Sequence, residues 1–244
     1  MGCPPILLAV LLGGLLPGVS GQSTAPAKPA SLDLVSNMVG WWKWDETTGT
    51  QAADSSKSGH PGVLQGGMTF EQNSVAGRNG KALKFAGGDN SVEITGYKGV
   101  TGTKPRTIAA WIKTATSDGE IVSWGHRDYG KMWTFGFVRA HVGVTPSGGY
   151  YYMKAQLNDN AWHHVAVVVQ AANPPNLHDN VRLYQDGSLA EIDDIGLLDL
   201  WPIDTGSDLD VRIGRRFRGL LEDVRIYDRA LTEDEIKALS KVQP

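Results

Sequence analysis

The sequence predicts an all-β fold, a two-sheet antiparallel β-sandwich of the jelly-roll type with a short C-terminal helix. Three observations favour it. Short segments alternate apolar and polar residues, turn residues separate these segments at regular spacing, and no helical period lies between them. The 244 residues include 30 glycines and 12 prolines, a turn-rich composition that suits one large β domain.

The N-terminal 33 residues differ in composition from the rest of the chain. Residues 1–21 are apolar, uncharged and too short for a comfortable membrane span, and they end in small residues, which predicts a signal peptide. Because no basic residue precedes Lys28, an uncleaved anchor helix is the alternative. Residues 22–33 are rich in Pro, Ala and Ser and are predicted to be a linker, followed by one domain at 34–240. We therefore expect a secreted protein without a membrane span after signal cleavage.

The clearest local signal is the hairpin "VRLYQDGSLAEI" at residues 181–192. Apolar and polar residues alternate before Asp186-Gly187, and this pair supplies the positive φ angles that a two-residue turn needs. Further strands are predicted at 81–88, 90–96, 107–114 and 221–228. In the last of these we expect Val224 and Ile226 to share one face.

The C-terminal stretch "LTEDEIKALS" predicts the one helix. Thr232 is a good N-cap and Glu235 follows three residues later, which makes a capping box. Leu231 and Ile236 are placed to form the hydrophobic staple. We expect this short amphipathic helix to close one end of the sandwich.

The order of sequence blocks resembles a known family. The blocks "GKALKFAGGDNSVEI", "TIAAWIK", "AWHHVAVVV", "VRLYQDGSL" and "FRGLLEDVRIYDRALTEDEIKAL" are similar to the laminin-G-like jelly-roll domain of the concanavalin A-like lectin/glucanase superfamily, over Leu34 to Leu239. The resemblance implies the fold. It leaves the function open, because this fold hosts lectins, glycan-binding modules, adhesion domains and glycosidases.

The pair His163 and His164 invites a chemical interpretation. Consecutive residues of a strand point to opposite faces, so the two rings cannot chelate one metal together. The resemblance implies that this Trp-His-His block is a framework strand. We expect His164 to be buried and hydrogen-bonded beside Trp162.

A catalytic interpretation rests on "EIDDIG", residues 191–196. Glu191 and Asp193 would project from one strand face, as the carboxylate pair of a retaining glycosidase must. The third carboxylate of the jelly-roll glucanases is missing, since Ile195 and Gly196 stand in its place. With no nucleophile–base set either, we predict that the protein is not an enzyme.

The resemblance also implies a structural calcium between the first and last strands. Calcium accepts six to eight carboxylate and carbonyl oxygens. The ligands predicted for this site are Asp45, Asp54, Gly59, His60 and Glu222. Family members usually have Asp where Glu222 stands, and a carboxylate on the face of Val224 and Ile226 would favour a bound cation. Solvated loop acids are the alternative.

Aromatic residues outside the framework predict a ligand site, because rings flanked by polar donors suit a sugar-binding groove. The candidate ligand-binding residues are Trp124, Arg127, Tyr129, Tyr150 and Tyr152. Core packing is the alternative for each ring. The formal net charge of −3 leaves no basic stripe for nucleic acid. Carbohydrate is thus the predicted partner, a cell-surface or extracellular protein the alternative, and a glycoside hydrolase the third interpretation.

Overall fold

In the computed structural model, residues 1–2, 32–193 and 201–242 are described. The predicted signal peptide and linker fall almost wholly outside these residues, as does the end of "EIDDIG". Residues from Leu32 onward form one unit. The strands in its described part are β1 (Met38–Trp42), β2 (Gln51–Ala52), β3 (Gly62–Gln65), β4 (Ser74–Ala76), β5 (Lys81–Ala86), β6 (Ser91–Ile94), β7 (Arg106–Lys113), β8 (Glu120–Gly125), β9 (Met132–Val138), β10 (His141–Thr145), β11 (Tyr151–Met153), β12 (Trp162–Val169), β13 (Val181–Gln185), β14 (Ser188–Leu189), β15 (Ile192–Asp193), β16 (Leu209–Ile213) and β17 (Arg218–Tyr227). The helices there are α1 (Phe70–Asn73), α2 (Leu177–Asn180) and α3 (Glu233–Leu239).

The strands form two antiparallel sheets, which confirms the predicted sandwich. Sheet A has the order β14-β13-β12-β7-β17-β5-β4, and β1 also pairs with β17. Sheet B has the order β15-β11-β10-β9-β8-β16-β6-β3-β2. The first and last strands are neighbours, as the resemblance implied, with Trp42 opposite Val224. No helix in the described part of the chain is long and apolar enough to cross a membrane.

Strand β12 shows how alternation builds the core. Val165 and Val167 are fully buried between the sheets, while Ala166 and Val168 face outward from sheet A and belong to a second apolar cluster. Two faces of one strand are therefore both covered, as its nearly continuous apolar sequence requires. The predicted hairpin after β13 is confirmed, with Asp186 and Gly187 at φ 51° and 82°.

Helix α3 provides the cover for the outer face of sheet A. Thr232 and Glu235 form the predicted capping box, so the start of the helix is confirmed. Its buried Ile236 and Leu239 pack in one cluster with Ala166 and Tyr184 of sheet A. The expectation that this helix closes an end of the sandwich is therefore wrong. The apolar outer face of β12 and β13 needs a partner, and the helix supplies it.

Strand β17 contains a β-bulge that changes the faces of its residues. The register with β7 shifts between Glu222 and Arg225, and Asp223 has φ 55°. Leu221 and Val224 both enter the core, three positions apart. A bulge adds one residue to the strand, so Glu222 does not share the apolar face of Val224. That part of the sequence prediction is wrong.

Candidate ligand-binding site

Two exposed aromatic rings stack at one end of sheet B. The Tyr129 and Trp201 ring centroids lie 5.5 Å apart with an interplanar angle of 23°. Tyr129 is 63% exposed and Trp201 is 44% exposed, so both offer apolar surface to solvent. We call this pair the aromatic platform. A contiguous exposed apolar patch indicates an interaction site, whereas a single exposed apolar side chain does not.

Three loop segments converge to hold the platform. Gly130 has φ 74°, its amide donates to Ser147 at 3.0 Å, and its carbonyl accepts from Asp204 at 2.9 Å. A side chain on Gly130 would come within 2.6 Å of the Pro202 carbonyl oxygen, so the chain passes closely there. The Tyr129 ring also lies against Gly148. Backbone bonds between these loops thus fix the positions of both rings.

Polar side chains lie on the two loops that carry the platform rings. His126 Nδ1 lies 2.5 Å from Asp208 Oδ2, and both side chains are partly exposed. Arg127 and Asp128 are exposed on the same loop as Tyr129, and the Tyr129 amide donates to Asp128 Oδ1 at 2.8 Å. The platform therefore combines ring faces with hydrogen-bond donors and acceptors, the combination that a sugar ring requires.

Two of the predicted ligand-binding residues are core residues instead. Trp124 is fully buried, and its Nε1 donates to the Val100 carbonyl at 3.1 Å. Tyr152 is 4% exposed and stacks on His141 at 5.4 Å. Neither ring is available to a ligand, so these two predictions are wrong. The physical reason is that Trp124 belongs to the core and Tyr152 is covered by the His141 ring, and the sequence pattern distinguishes neither position from an exposed one.

The remaining predicted residues are partly exposed. Arg127 and Tyr129 lie at the platform, whereas Tyr150 is half-buried with the Arg139 guanidinium 6.0 Å from its ring. Sequence reasoning missed Trp201. One feature of the sequence could have indicated Trp201. It directly precedes Pro202 and lies outside the alternating segments, where a Trp is less expected to pack in the core.

The His-His pair has a structural place. His164 is 2% exposed and its ring meets the edge of Trp111 at 5.2 Å, so its burial is confirmed. Its neighbour is Trp111 rather than Trp162, and Nδ1 has no hydrogen-bond partner among the described residues. Burial, assisted by the Arg225 charge, lowers the pKa of His164 to about 3. The ring is therefore neutral at physiological pH.

The predicted calcium ligands of the N-terminal loop are already hydrogen-bonded. Asp54 Oδ1 accepts from the amides of Trp41 and Ser56 at 3.0 and 2.8 Å, and Oδ2 accepts from His60 at 3.0 Å. His60 Nδ1 lies 2.9 Å from the Val39 carbonyl oxygen. Gly59, at φ 78°, makes the turn that brings His60 back. This loop is an amide-binding turn around one carboxylate.

Glu222 and Asp45 do not complete a metal site with that loop. Glu222 is fully buried and accepts from the amides of Arg78 and Asn79 at 2.5 and 2.9 Å. Burial raises the pKa of Glu222, and these two bonds oppose the rise. Asp45 is 66% exposed and lies 3.5 Å from Lys43 Nζ.

The described residues therefore do not fit the predicted calcium ion. Amide hydrogens occupy the carboxylate oxygens where a cation would have to approach. Across residues 32–193 and 201–242, no group of three or more His, Cys, Asp or Glu side chains could hold a metal. Calcium binding stays a prediction of the resemblance, and thermal unfolding tests it.

The comparison with known families agrees with the fold. A family model described as the concanavalin A-like lectin/glucanases superfamily matches residues 86–237. This span is more than half of the chain, and the chain belongs to this family. Among curated protein sequences, none matches the chain.

Solved structures of low sequence identity share the fold. Domain 4 of AbnA, a GH43 extracellular arabinanase from Geobacillus stearothermophilus in complex with arabinotriose, is 18% identical, with a TM-score of 0.60 over 84% of this chain and 98% of that chain. The binding domain of Paraclostridial Mosquitocidal Protein 1 is 16% identical, with a TM-score of 0.57 over 85% and 52%. The receptor binding domain of botulinum neurotoxin type G is 15% identical, with a TM-score of 0.52 over 85% and 52%. This chain spans about half of the two toxin chains.

Proposed function

We propose that the protein is a secreted, non-catalytic domain that binds carbohydrate on the aromatic platform of Tyr129 and Trp201. The observation that carries the proposal is the stacked, solvent-exposed pair of rings. Sugar rings present apolar C–H faces and a rim of hydroxyl groups. An exposed aromatic surface with a polar border matches both features.

The polar side chains on the platform loops can each bind a part of the sugar. Arg127 presents up to five N–H donors for hydroxyl oxygens, and the carboxylates of Asp128 and Asp208 can accept from hydroxyl groups. His126, which is hydrogen-bonded to Asp208 and lies three residues before Tyr129 on the same loop, can supply a ring nitrogen. Because the backbone fixes the loops, binding needs little ordering of the protein, which favours affinity.

A solved structure with the same fold, determined with a bound oligosaccharide, supports this proposal. Domain 4 of the arabinanase has the same fold and was solved with arabinotriose. The choice of glycan rests on the platform itself. A short neutral oligosaccharide is the ligand class that stacked rings suit best.

The non-catalytic part of the proposal rests on the carboxylates. Glu191 is paired with Lys154 at 2.9 Å on the surface, and both side chains are largely exposed. Such a carboxylate lacks the enclosed, apolar setting of a glycosidase acid. Turnover of a glucan or arabinan that disappears in Glu191→Gln would contradict this part.

The test is a glycan array with the purified protein, with and without calcium, followed by titration of the best neutral oligosaccharide. Binding that is lost in Trp201→Ala supports the proposal. An array without any hit, together with specific capture of an extracellular protein that also requires Trp201, would favour the alternative of protein adhesion. In that case the platform would be an interface of the kind aromatic residues dominate.

A further inference from the structure

A second surface feature lies on the outer face of sheet A, away from the platform. It is an open groove of ≈ 720 Å³ where β4, β5, β17 and β7 lie side by side. Its apolar surface comes from Val75, Leu220 and the small residues Ala76 and Ala86. Helix α3 covers a different part of this sheet, over β12 and β13.

Three cationic side chains line the groove. Lys84 and Lys113 are the cross-strand partners of Leu220 on its two sides, and Arg218 lies two residues before Leu220 on the same strand. Residues two apart on a strand share a face, so all three cations border the same apolar strip. Lys84 and Arg218 are exposed and Lys113 is half-buried.

Among the described residues these cations have no counter-ions. In the described part of the chain, no acidic side chain forms an ion pair with Lys84, Lys113 or Arg218. Asp118 lines a neighbouring surface depression together with Arg216 and Arg218, where one acid meets two cations. The groove is therefore positive although the formal net charge of the chain is −3. A concave surface with one sign of charge raises the local concentration of the opposite charge.

We propose that this groove binds an anionic polysaccharide, a chain that carries carboxylate or sulfate groups, at a site separate from the aromatic platform. The groove is open, so an extended polymer can pass through it. Lys84 and Lys113 act as point charges on either side of Leu220, and the planar Arg218 guanidinium can bind one anion with two hydrogen bonds. The small residues at Ala76, Ala86 and Gly219 leave room for the polymer backbone.

The lining favours a polysaccharide over single-stranded nucleic acid. Nucleic-acid grooves combine positive charge with exposed aromatic rings on which bases stack. The one ring among the lining residues is Phe85, which is 1% exposed and belongs to the core. Charge with an apolar strip but no stacking ring suits an anionic sugar chain.

The experiment measures the affinity of the purified protein for four probes: polygalacturonate, dextran sulfate, neutral dextran and oligo-dT. We expect the groove to bind at least one of the two anionic polysaccharides, with an affinity that salt weakens. Neutral dextran reports on the platform alone, so its binding should not depend on Lys84, Lys113 or Arg218. The two anionic probes distinguish carboxylate from sulfate as the recognised group. The triple variant Lys84→Gln, Lys113→Gln, Arg218→Gln should bind the anionic polysaccharide at least about tenfold more weakly. The reason is that charge neutralisation supplies most of the affinity for a polyanion.

The control variant replaces two exposed lysines that lie outside the groove lining, Lys104→Gln and Lys241→Gln. It should bind as the wild type does, and all variants should keep the wild-type melting temperature. The proposal fails if neither anionic polysaccharide binds, if the control loses as much affinity as the triple variant, or if oligo-dT binds more tightly. Trp201→Ala should leave polyanion binding intact. The test of the groove is therefore independent of the test of carbohydrate binding at the platform.

Discussion

At the scale of residues, His164 is a buried base whose Nδ1 has no partner among the described residues. The ring packs against Trp111 on the outer face of sheet A, a face that also carries the buried Glu222 and Arg225. Strand periodicity could predict the face and the burial of His164, because successive residues of a strand point to opposite faces and both neighbours, Val165 and Ala166, are apolar. It could not predict Trp111 as the neighbour, because that contact depends on the register between β12 and β7.

Replacement of His164 tests its structural role. His164→Ala should lower the free energy of unfolding by roughly 1–3 kcal/mol through lost packing, as measured by urea denaturation. His163→Ala should cost less, because its side chain is less buried and its contacts with Asp159 and Asp186 are hydrogen bonds near the surface. Wild-type stability of His164→Ala combined with lost glycan binding would assign His164 to the ligand instead.

The same residue predicts a pH dependence. The pKa of His164 is about 3 in the folded chain and 6.5 in the reference state. Below pH 6.5 the unfolded chain therefore binds a proton at His164 that the folded chain does not bind. Its contribution to stability is complete above pH 6.5 and is lost as pH falls toward 3, by about 2 kcal/mol between pH 7 and 5. His164→Gln should flatten the unfolding free energy over that interval. Equal pH profiles for wild type and variant would contradict the burial of a neutral ring.

At the scale of elements, the bulge of β17 organises the join between the first and last strands. Asp223 Oδ1 accepts from Trp41 Nε1 at 2.5 Å and from Arg225 Nε at 2.8 Å, and the Arg225 guanidinium lies 4.5 Å from the Trp41 ring. Asp223 and Arg225 are both 4% exposed. The positive φ of Asp223 makes the bulge, so alternation carried back from Ile226 and Val224 across Asp223 assigns Glu222 to the wrong face.

Removal of the Asp223 carboxylate should therefore destabilise this join. Asp223→Ala leaves the Arg225 charge buried without its partner, and we expect a loss of about 3–5 kcal/mol in the free energy of unfolding. Asp223→Asn should cost less, because the amide oxygen still accepts and Asn tolerates a positive φ. Glu191→Ala, which breaks an exposed pair, serves as the control and should stay within about 0.5 kcal/mol. A small loss in Asp223→Ala would mean that Arg225 is solvated.

The loop around Asp54 gives a prediction about calcium. Because amide hydrogens already occupy the oxygens of Asp54 and Glu222, we expect the melting temperature to be the same in millimolar calcium and in chelator. A site with a dissociation constant near 10 µM would instead add about 2.7 kcal/mol at a hundredfold excess. A calcium-dependent shift that vanishes in Glu222→Gln would restore the ligand set that the resemblance implies.

At the scale of the molecule, local signals and distant contacts differ in what they make predictable. The Asp186-Gly187 turn and the Thr232 capping box depend on neighbouring residues, so the sequence predicted both. The place of α3 on the outer face of sheet A depends on which apolar faces remain uncovered after both sheets form, and the sequence does not show this. The platform joins Tyr129 to Trp201 through loops far apart in the chain, so only one of its rings could be predicted.

The most direct test of carbohydrate binding compares the affinities of platform variants for the best neutral oligosaccharide by isothermal titration calorimetry. Tyr129→Ala and Trp201→Ala should each weaken binding about tenfold or more, since a central ring contributes about 1.4 kcal/mol or more. Tyr129→Phe keeps the ring and should retain most of the affinity. Leu189→Ala, which removes an exposed apolar side chain on β14, should bind as the wild type does. Unchanged affinity in both alanine variants, with their folds intact, would contradict the assignment of the platform as the carbohydrate site.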